Sequence, residues 1–193
     1  MRIYIRHSDK MYKNGPRGHD PPLTDRGRGR VGTFGCQLYQ RYGMPSTIIC
    51  SPFLRCRETA ELLHRAVYEQ TGVRVGIKCD KDISEYLGNR VDEELMVTEI
   101  TLLFQPPHPE TFHEMEQRVH HHNDRMRDYD LTRRPVWIVT HGLIIDRLLF
   151  FMGFKRPQSI PTLSFFVFHQ KTGDKAQVRG WYHCTKKTRR LKR

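Results

Sequence analysis

Pro135-Val136-Trp137-Ile138-Val139-Thr140, followed by His141-Gly142 and an apolar run over residues 143–152, reads as a buried strand that turns directly into a helix. Its unbroken β-branched and aromatic residues suit a strand covered on both faces. Gly142 lets the backbone turn tightly at the join. The flanking sequence supplies partners for this unit. Residues 2–6 alternate polar and apolar, with strand-favouring Tyr4 and Ile5, and Thr47-Ile48-Ile49-Cys50 is a second short apolar run. Each is followed by a helix pattern: residues 25–42 with Thr24 as cap, and 54–69 with Ser51 or a neighbour as cap. Residues 73–79 predict a third strand, 92–104 and 111–127 further helices, and 163–169 and 178–181 closing strands. The span 8–24 carries Gly15, Pro16, Gly18, Pro21 and Pro22 and reads as loop.

Strands alternating with helices predict an α/β fold, a three-layer α/β/α sandwich around a mostly parallel central sheet. Ligands in such sheets bind beyond the carboxyl ends of the strands. Three of those ends carry the most reactive residues: Arg6-His7, the turn over 51–55 with Arg55, and His141.

With 193 residues, no internal repeat and no composition break, the chain predicts one domain over 1–185 and a basic tail over 186–193. From Arg179 to Arg193 there are seven Lys or Arg and no acid. A solvated tail is favoured there over a nucleic-acid or nuclear-import signal. The formal charge of +12 favours anionic ligands. No stretch reaches the ~20 apolar residues of a membrane span, and Met1 to His7 is too charged for a signal peptide; a cytoplasmic protein is expected, with a nuclear one as the alternative. The five cysteines form no CxxC pair, so reduced thiols are expected rather than disulfides or a zinc site. His120-His121-His122 point about 100° apart on a helix and cannot converge on one ion, which makes them a solvated face.

Taken singly, none of these residues is specific. Together, Ile5-Arg6-His7, then Ser51-Pro52-Phe53-Leu54-Arg55-Cys56-Arg57-Glu58-Thr59-Ala60, then Val139-Thr140-His141-Gly142 resemble, in order and position, the motifs of the histidine phosphatase superfamily, branch 1, also called phosphoglycerate mutase-like. Leu23-Thr24-Asp25-Arg26-Gly27 resembles that family's LTxxG, and Glu110-Thr111 with Arg118-Val119 its G-E-S…R-V helix start, with Pro109 in the glycine's place. Ser8 replaces the glycine of R-H-G, and the Trp-Asn pair of the mutases is absent. His19-Asp20-Pro21-Pro22-Leu23-Thr24 is closer to the phosphatase-type members.

The resemblance implies a phosphatase acting on phosphomonoesters through a covalent phosphohistidine, without metal or cofactor. His7 would be the nucleophile. Arg6, Arg55 and His141, the last as an imidazolium beside the phosphate, would hold the phosphoryl oxygens. Arg57, two residues along from Arg55, points elsewhere. The resemblance also implies an acid in a loop after the third strand, which selects Glu85 in Ile83-Ser84-Glu85-Tyr86 over the nearby Asp82, Asp92, Glu93 and Glu94 and the more remote Asp9. Thr24 is a further candidate phosphate contact; Ser8, Asp9 and Lys10 are candidate substrate contacts; Glu110 is a candidate partner for the pocket arginines. The expected partner is a phosphorylated small molecule or phosphoprotein. Two alternatives stay open: a phosphoglycerate-type mutase, and a catalytically lapsed basic module binding phosphorylated partners or nucleic acid. The chemistry requires the two imidazoles to meet across one anion-sized hollow.

Overall fold

A computed structural model describes residues 1–11, 20–86, 110–127, 134–154, 157–169 and 177–181. The helix expected over 92–104, Cys184 and the tail 186–193 lie outside them. Strands β1 (Arg2–Arg6), β2 (Thr47–Cys50), β3 (Ile77–Cys79), β4 (Val136–Thr140), β5 (Phe165–His169) and β6 (Gln177–Trp181) form one sheet in the order β3-β2-β4-β1-β5-β6. The pairs β3–β2, β2–β4 and β4–β1 are parallel, whereas β5 runs antiparallel to both β1 and β6. Helices α1 (Asp25–Tyr42) and α2 (Leu54–Thr71) cover one face, α3 (Phe112–Arg125) and α4 (Gly142–Phe151) the other.

The two-residue side-chain period builds both cores from the same strands. Ile3, Ile5, Ile48, Trp137 and Val139 meet Phe34, Leu38 and Leu63 of α1 and α2. Tyr4, Ile49 and Ile138 meet Met115 and Val119 of α3 and Ile145 of α4. This is the expected three-layer sandwich.

Two strands are shorter than the sequence suggests. The β3 strand covers Ile77–Cys79 and not 73–79, because α2 continues to Thr71 and ends on Gly72 in the left-handed region (φ 69), its N–H bonded to the Tyr68 carbonyl at 2.7 Å. The β5 strand starts at Phe165, not 163, because Leu163 takes φ 55. That conformation costs a leucine about 1–2 kcal/mol. It is held by local bonds: the Leu163 N–H reaches the Arg6 carbonyl at 3.2 Å, and the Arg6 N–H reaches the Ser164 carbonyl at 2.9 Å.

Ser51 does not cap α2. Phe53 holds the N-cap position without a side-chain bond, and the Leu54 N–H is satisfied by the Asp20 carboxylate at 2.6 Å. Thr24 caps α1 as expected, accepting from the Gly27 N–H at 2.9 Å. Gly27 of the LTxxG stretch has a steric reason: a β-carbon there would lie 2.5 Å from the Asp9 carbonyl oxygen. The loop after β1 is therefore pressed against the first turn of α1.

Candidate active site

Register alone brings the reactive strand ends together. Arg6 pairs with Thr140, and Cys50 with Val139, so β2, β4 and β1 end side by side with β4 in the middle. The ladder continues one residue further, the His7 N–H reaching the Thr140 carbonyl at 3.0 Å and the Ser51 N–H the Val139 carbonyl at 2.9 Å. His141 thus lies between Ser51 and His7. The two imidazole centroids are 5.3 Å apart, and the rings meet edge to face (64°).

Both rings are buried and oriented. His7 Nδ1 lies 2.7 Å from the Ser8 carbonyl oxygen, which can only accept, so Nδ1 carries the proton and Nε2 the lone pair. Burial first, then the neighbouring His141 and Arg55, hold the His7 pKa well below its ordinary value. His141 Nδ1 faces Glu85 Oε2 at 3.1 Å, and its Nε2 faces the Ser51 hydroxyl at 2.8 Å. Burial pushes its pKa down to about 4, with Glu85 pulling it up and Arg55 pushing it down. In the protein alone His141 is therefore a neutral ring that donates to Glu85 and accepts from Ser51.

Arg55 is 1% exposed. Its Nη2 donates to Glu85 at 3.1 Å, its Nη1 lies 3.4 Å from Asp20, and its guanidinium sits 4.6 Å from the centre of the Phe53 ring. Arg6 donates through Nη1 to the Ile160 carbonyl, while its buried Nε has no partner among the described residues. Burial alone would raise the Glu85 pKa, but His141, Arg55 and His7 outweigh it and hold the carboxyl far below the usual range.

The loop that delivers Glu85 is clasped. Arg118 on α3 donates to the carbonyls of Asp82 and Ser84, both at 2.9 Å, and forms a two-point ion pair with the buried Glu110. The Thr140 hydroxyl takes the Ile83 carbonyl at 2.7 Å. Glu110 thus serves Arg118, not the pocket arginines. We expect Arg118→Met, which strands a buried carboxylate, to destabilise the fold by about 3 kcal/mol in urea unfolding. It should also slow alkyl phosphates more than aryl ones, because Glu85 loses its support. Equal losses for the two would show that the clasp serves stability alone.

Other candidates have different duties. Ser8 is fully buried; its hydroxyl donates to the Gly27 carbonyl at 2.8 Å and its N–H to the Thr59 hydroxyl at 3.2 Å, so it anchors the nucleophile loop and cannot reach a substrate. The Asp9 carboxylate is held by Arg30 at 2.6 Å and by the Thr162 hydroxyl, and Thr24 Oγ is spent on the cap and the Asp9 carbonyl. Both are structural. Lys10 stays at the pocket rim, its pKa lowered by burial first and then by Arg55. Asp82 pairs with Arg125 at 2.8 Å and His121 at 2.9 Å; Asp92, Glu93 and Glu94 lie outside the described residues. His120 and His121 are exposed as expected, but His122 is fully buried, bonded to Asp80 at 2.7 Å and Tyr4 at 3.1 Å. Its spacing from Met115 and Val119, seven and three residues, is the signal for that buried face.

Asp20 has a role that its local sequence does not announce: it caps α2 beside Arg55. Its place in the D-x-P-L-T stretch was the one signal for it.

His7, Glu85 and His141 each offer a ligand atom within 4.8 Å of the others, a spacing a metal ion could use. The guanidinium of Arg55 contests it from the same Glu85 oxygen, and Arg6 adds a second positive charge. The electrostatics favour an anion.

The model of the histidine phosphatase superfamily (branch 1) matches residues 3–164. The chain belongs to that superfamily. No curated protein matches it significantly. Among solved structures it is similar to Bacillus stearothermophilus YhfR (21% identity, 92% of this chain and 94% of that one, TM-score 0.68). It is also similar to a mycobacterial glucosyl-3-phosphoglycerate phosphatase (18%, 92% and 95%, 0.64) and to the protein histidine phosphatase SixA with tungstate (13%, 92% and 92%, 0.63). At these identities the likeness is one of fold. Among the described residues no helix of this superfamily member is long and apolar enough to cross a membrane.

Proposed function

We propose that the protein is a phosphatase that hydrolyses phosphomonoesters through a covalent intermediate on His7, without a metal ion. The observation that carries this reading is the His7 ring: Nδ1 is locked on the Ser8 carbonyl, which leaves Nε2 as a buried, neutral nucleophile in a pocket lined by two arginines. Nε2 attacks phosphorus in line while the alcohol leaves. Water then attacks the phosphohistidine and frees the ring. The fork of Arg55, the unpartnered Nε of Arg6 and the Nδ1–H of His141 bind the equatorial oxygens. The substrate is a phosphorylated small molecule or phosphoprotein.

Glu85 protonates the leaving oxygen and later takes the proton of the attacking water. In the protein alone it is ionised, held by His141 and Arg55. A phosphoryl group arriving at those two residues releases it and adds negative charge beside it, so its pKa rises. The proton comes with the substrate: ionised Glu85 with a monoanionic ester holds as many protons as neutral Glu85 with the dianion. Since phosphate esters lose the second proton near pH 6, kcat/KM for an alkyl phosphate should fall about tenfold per pH unit above ~pH 6. A profile flat to pH 8 would remove this route.

The direct test is hydrolysis of an alkyl and an aryl phosphate, with and without chelator. Activity should be indifferent to chelator. Glu85→Gln should slow the alkyl ester roughly 10²-fold and the aryl ester, whose leaving group needs less protonation, by less than about tenfold. Equal losses would place the acid elsewhere, and dependence on added magnesium would sink the mechanism.

A further inference from the structure

We propose that Cys50 and Cys79 form an oxidisable dithiol, converted by peroxides to an intrachain disulfide that weakens the anion pocket. The two residues are direct partners in the β2–β3 register, with sulfurs 3.9 Å apart. Neighbouring strands lie at a spacing within the Cα range that disulfides span. The bond needs the sulfurs to close from 3.9 Å to about 2.05 Å. The pair is asymmetric in the way peroxide chemistry requires. Cys79, on the edge strand, is exposed, while Cys50 is buried. The contact with Cys50 and the charge of Arg57 lower the Cys79 pKa, and the same contact together with burial raises that of Cys50. Arg57, which has no role in the pocket, thus favours a thiolate. Cys56, on α2, is fully buried and its pKa is pushed up, so it is inert.

The chemistry balances with hydrogen peroxide as oxidant. The Cys79 thiolate attacks one peroxide oxygen; the O–O bond breaks, giving a sulfenic acid and hydroxide, which takes a proton to become water. The Cys50 sulfur attacks the sulfenic sulfur, the S–O bond breaks, and the second water leaves with the Cys50 proton. Two thiols and one peroxide become one disulfide and two waters. Cys79 is exposed, and exposed disulfides are among the readily reduced ones.

Coupling to the pocket runs through the next residue. Ser51 follows Cys50, and its hydroxyl holds His141 Nε2 at 2.8 Å. Drawing Cys50 toward β3 pulls Ser51 off His141. This arm alone rests on the phosphatase reading.

The full chain would be treated with a few equivalents of hydrogen peroxide, mapped by non-reducing peptide mass spectrometry, and titrated with inorganic phosphate. We expect a Cys50–Cys79 linkage, phosphate binding weakened roughly fivefold, and recovery of both with dithiothreitol. Cys79→Ser should bind phosphate normally and ignore peroxide. Both thiols remaining free for alkylation, an equal loss of binding in Cys79→Ser, or a mapped linkage with phosphate binding unchanged would each overturn the proposal. Failure of the reduced wild type to bind phosphate counts against the phosphatase reading, while the peptide map still decides the dithiol.

Discussion

Replacing His7 with alanine is expected to abolish turnover, by roughly 10⁴-fold or more in kcat for every phosphate ester tried. The size of the effect follows from position. Of the four nitrogens on the two pocket imidazoles, only His7 Nε2 is both unprotonated and uncommitted, because His7 Nδ1 is held by the Ser8 carbonyl and His141 Nε2 by the Ser51 hydroxyl. His141 cannot substitute as nucleophile: its Nδ1 carries the proton shared with Glu85. Water would have to attack directly, and the gain from splitting the displacement into two steps is lost. The check is single-turnover kinetics with rapid acid-free quenching and ³²P-labelled substrate. Wild type should show label on the protein, stable to base and labile to acid, and His7→Ala none. Label persisting in the variant would mean that the nucleophile lies elsewhere.

Arg55→Ala should cost about 10³-fold in kcat/KM, in the range seen when a guanidinium is withdrawn from a transferring phosphoryl group. Arg55 sits 1% exposed between the carboxylates of Asp20 and Glu85, so its loss leaves two acids facing the anion. The pocket changes from attracting a dianion to repelling it. Arg55→Lys keeps the charge without the planar fork and should recover roughly tenfold of that loss in kcat/KM. Competitive inhibition by inorganic phosphate should weaken in parallel in both variants. Far-ultraviolet circular dichroism should remain that of the wild type, since α2 keeps Asp20 on the Leu54 N–H. Unchanged phosphate inhibition in Arg55→Ala would take this residue out of the anion site.

The strand ends were legible because short β-branched runs such as Val136–Thr140 and Thr47–Cys50 stop where a loop or a helix must begin, and parallel register then sets their succeeding residues side by side. Arg6, His7, Arg55 and His141 could be nominated on that ground, with Glu85 added from the family's loop. The supports were not legible. Ser8, Asp9 and Thr24 have polar side chains in a loop, which suits a ligand contact as well as a structural bond. Their partners, Gly27, Arg30 and the first turn of α1, are set by the fold and not by the local sequence. The Arg118–Glu110 clasp has the same character, since nothing local tells an arginine on a helix that two carbonyls of another loop lie within reach. His122 is different: its periodicity with Met115 and Val119 carried the information, and the run of three histidines masked it.

The loop after β1 also bears on how such a protein changes over time. Lys10 bridges to Leu23, the Met11 N–H bonds the Pro22 carbonyl at 2.9 Å, and the Thr24 N–H bonds the Asp9 carbonyl at 2.9 Å. Two ends of one excursion are thus stitched together close behind the nucleophile. The sequence between that seam and Asp20, which must stay on the Leu54 N–H beside Arg55, can be lengthened, shortened or recomposed while the attacking nitrogen stays where it is, so new substrates become accessible by drift without rebuilding the bond-breaking apparatus.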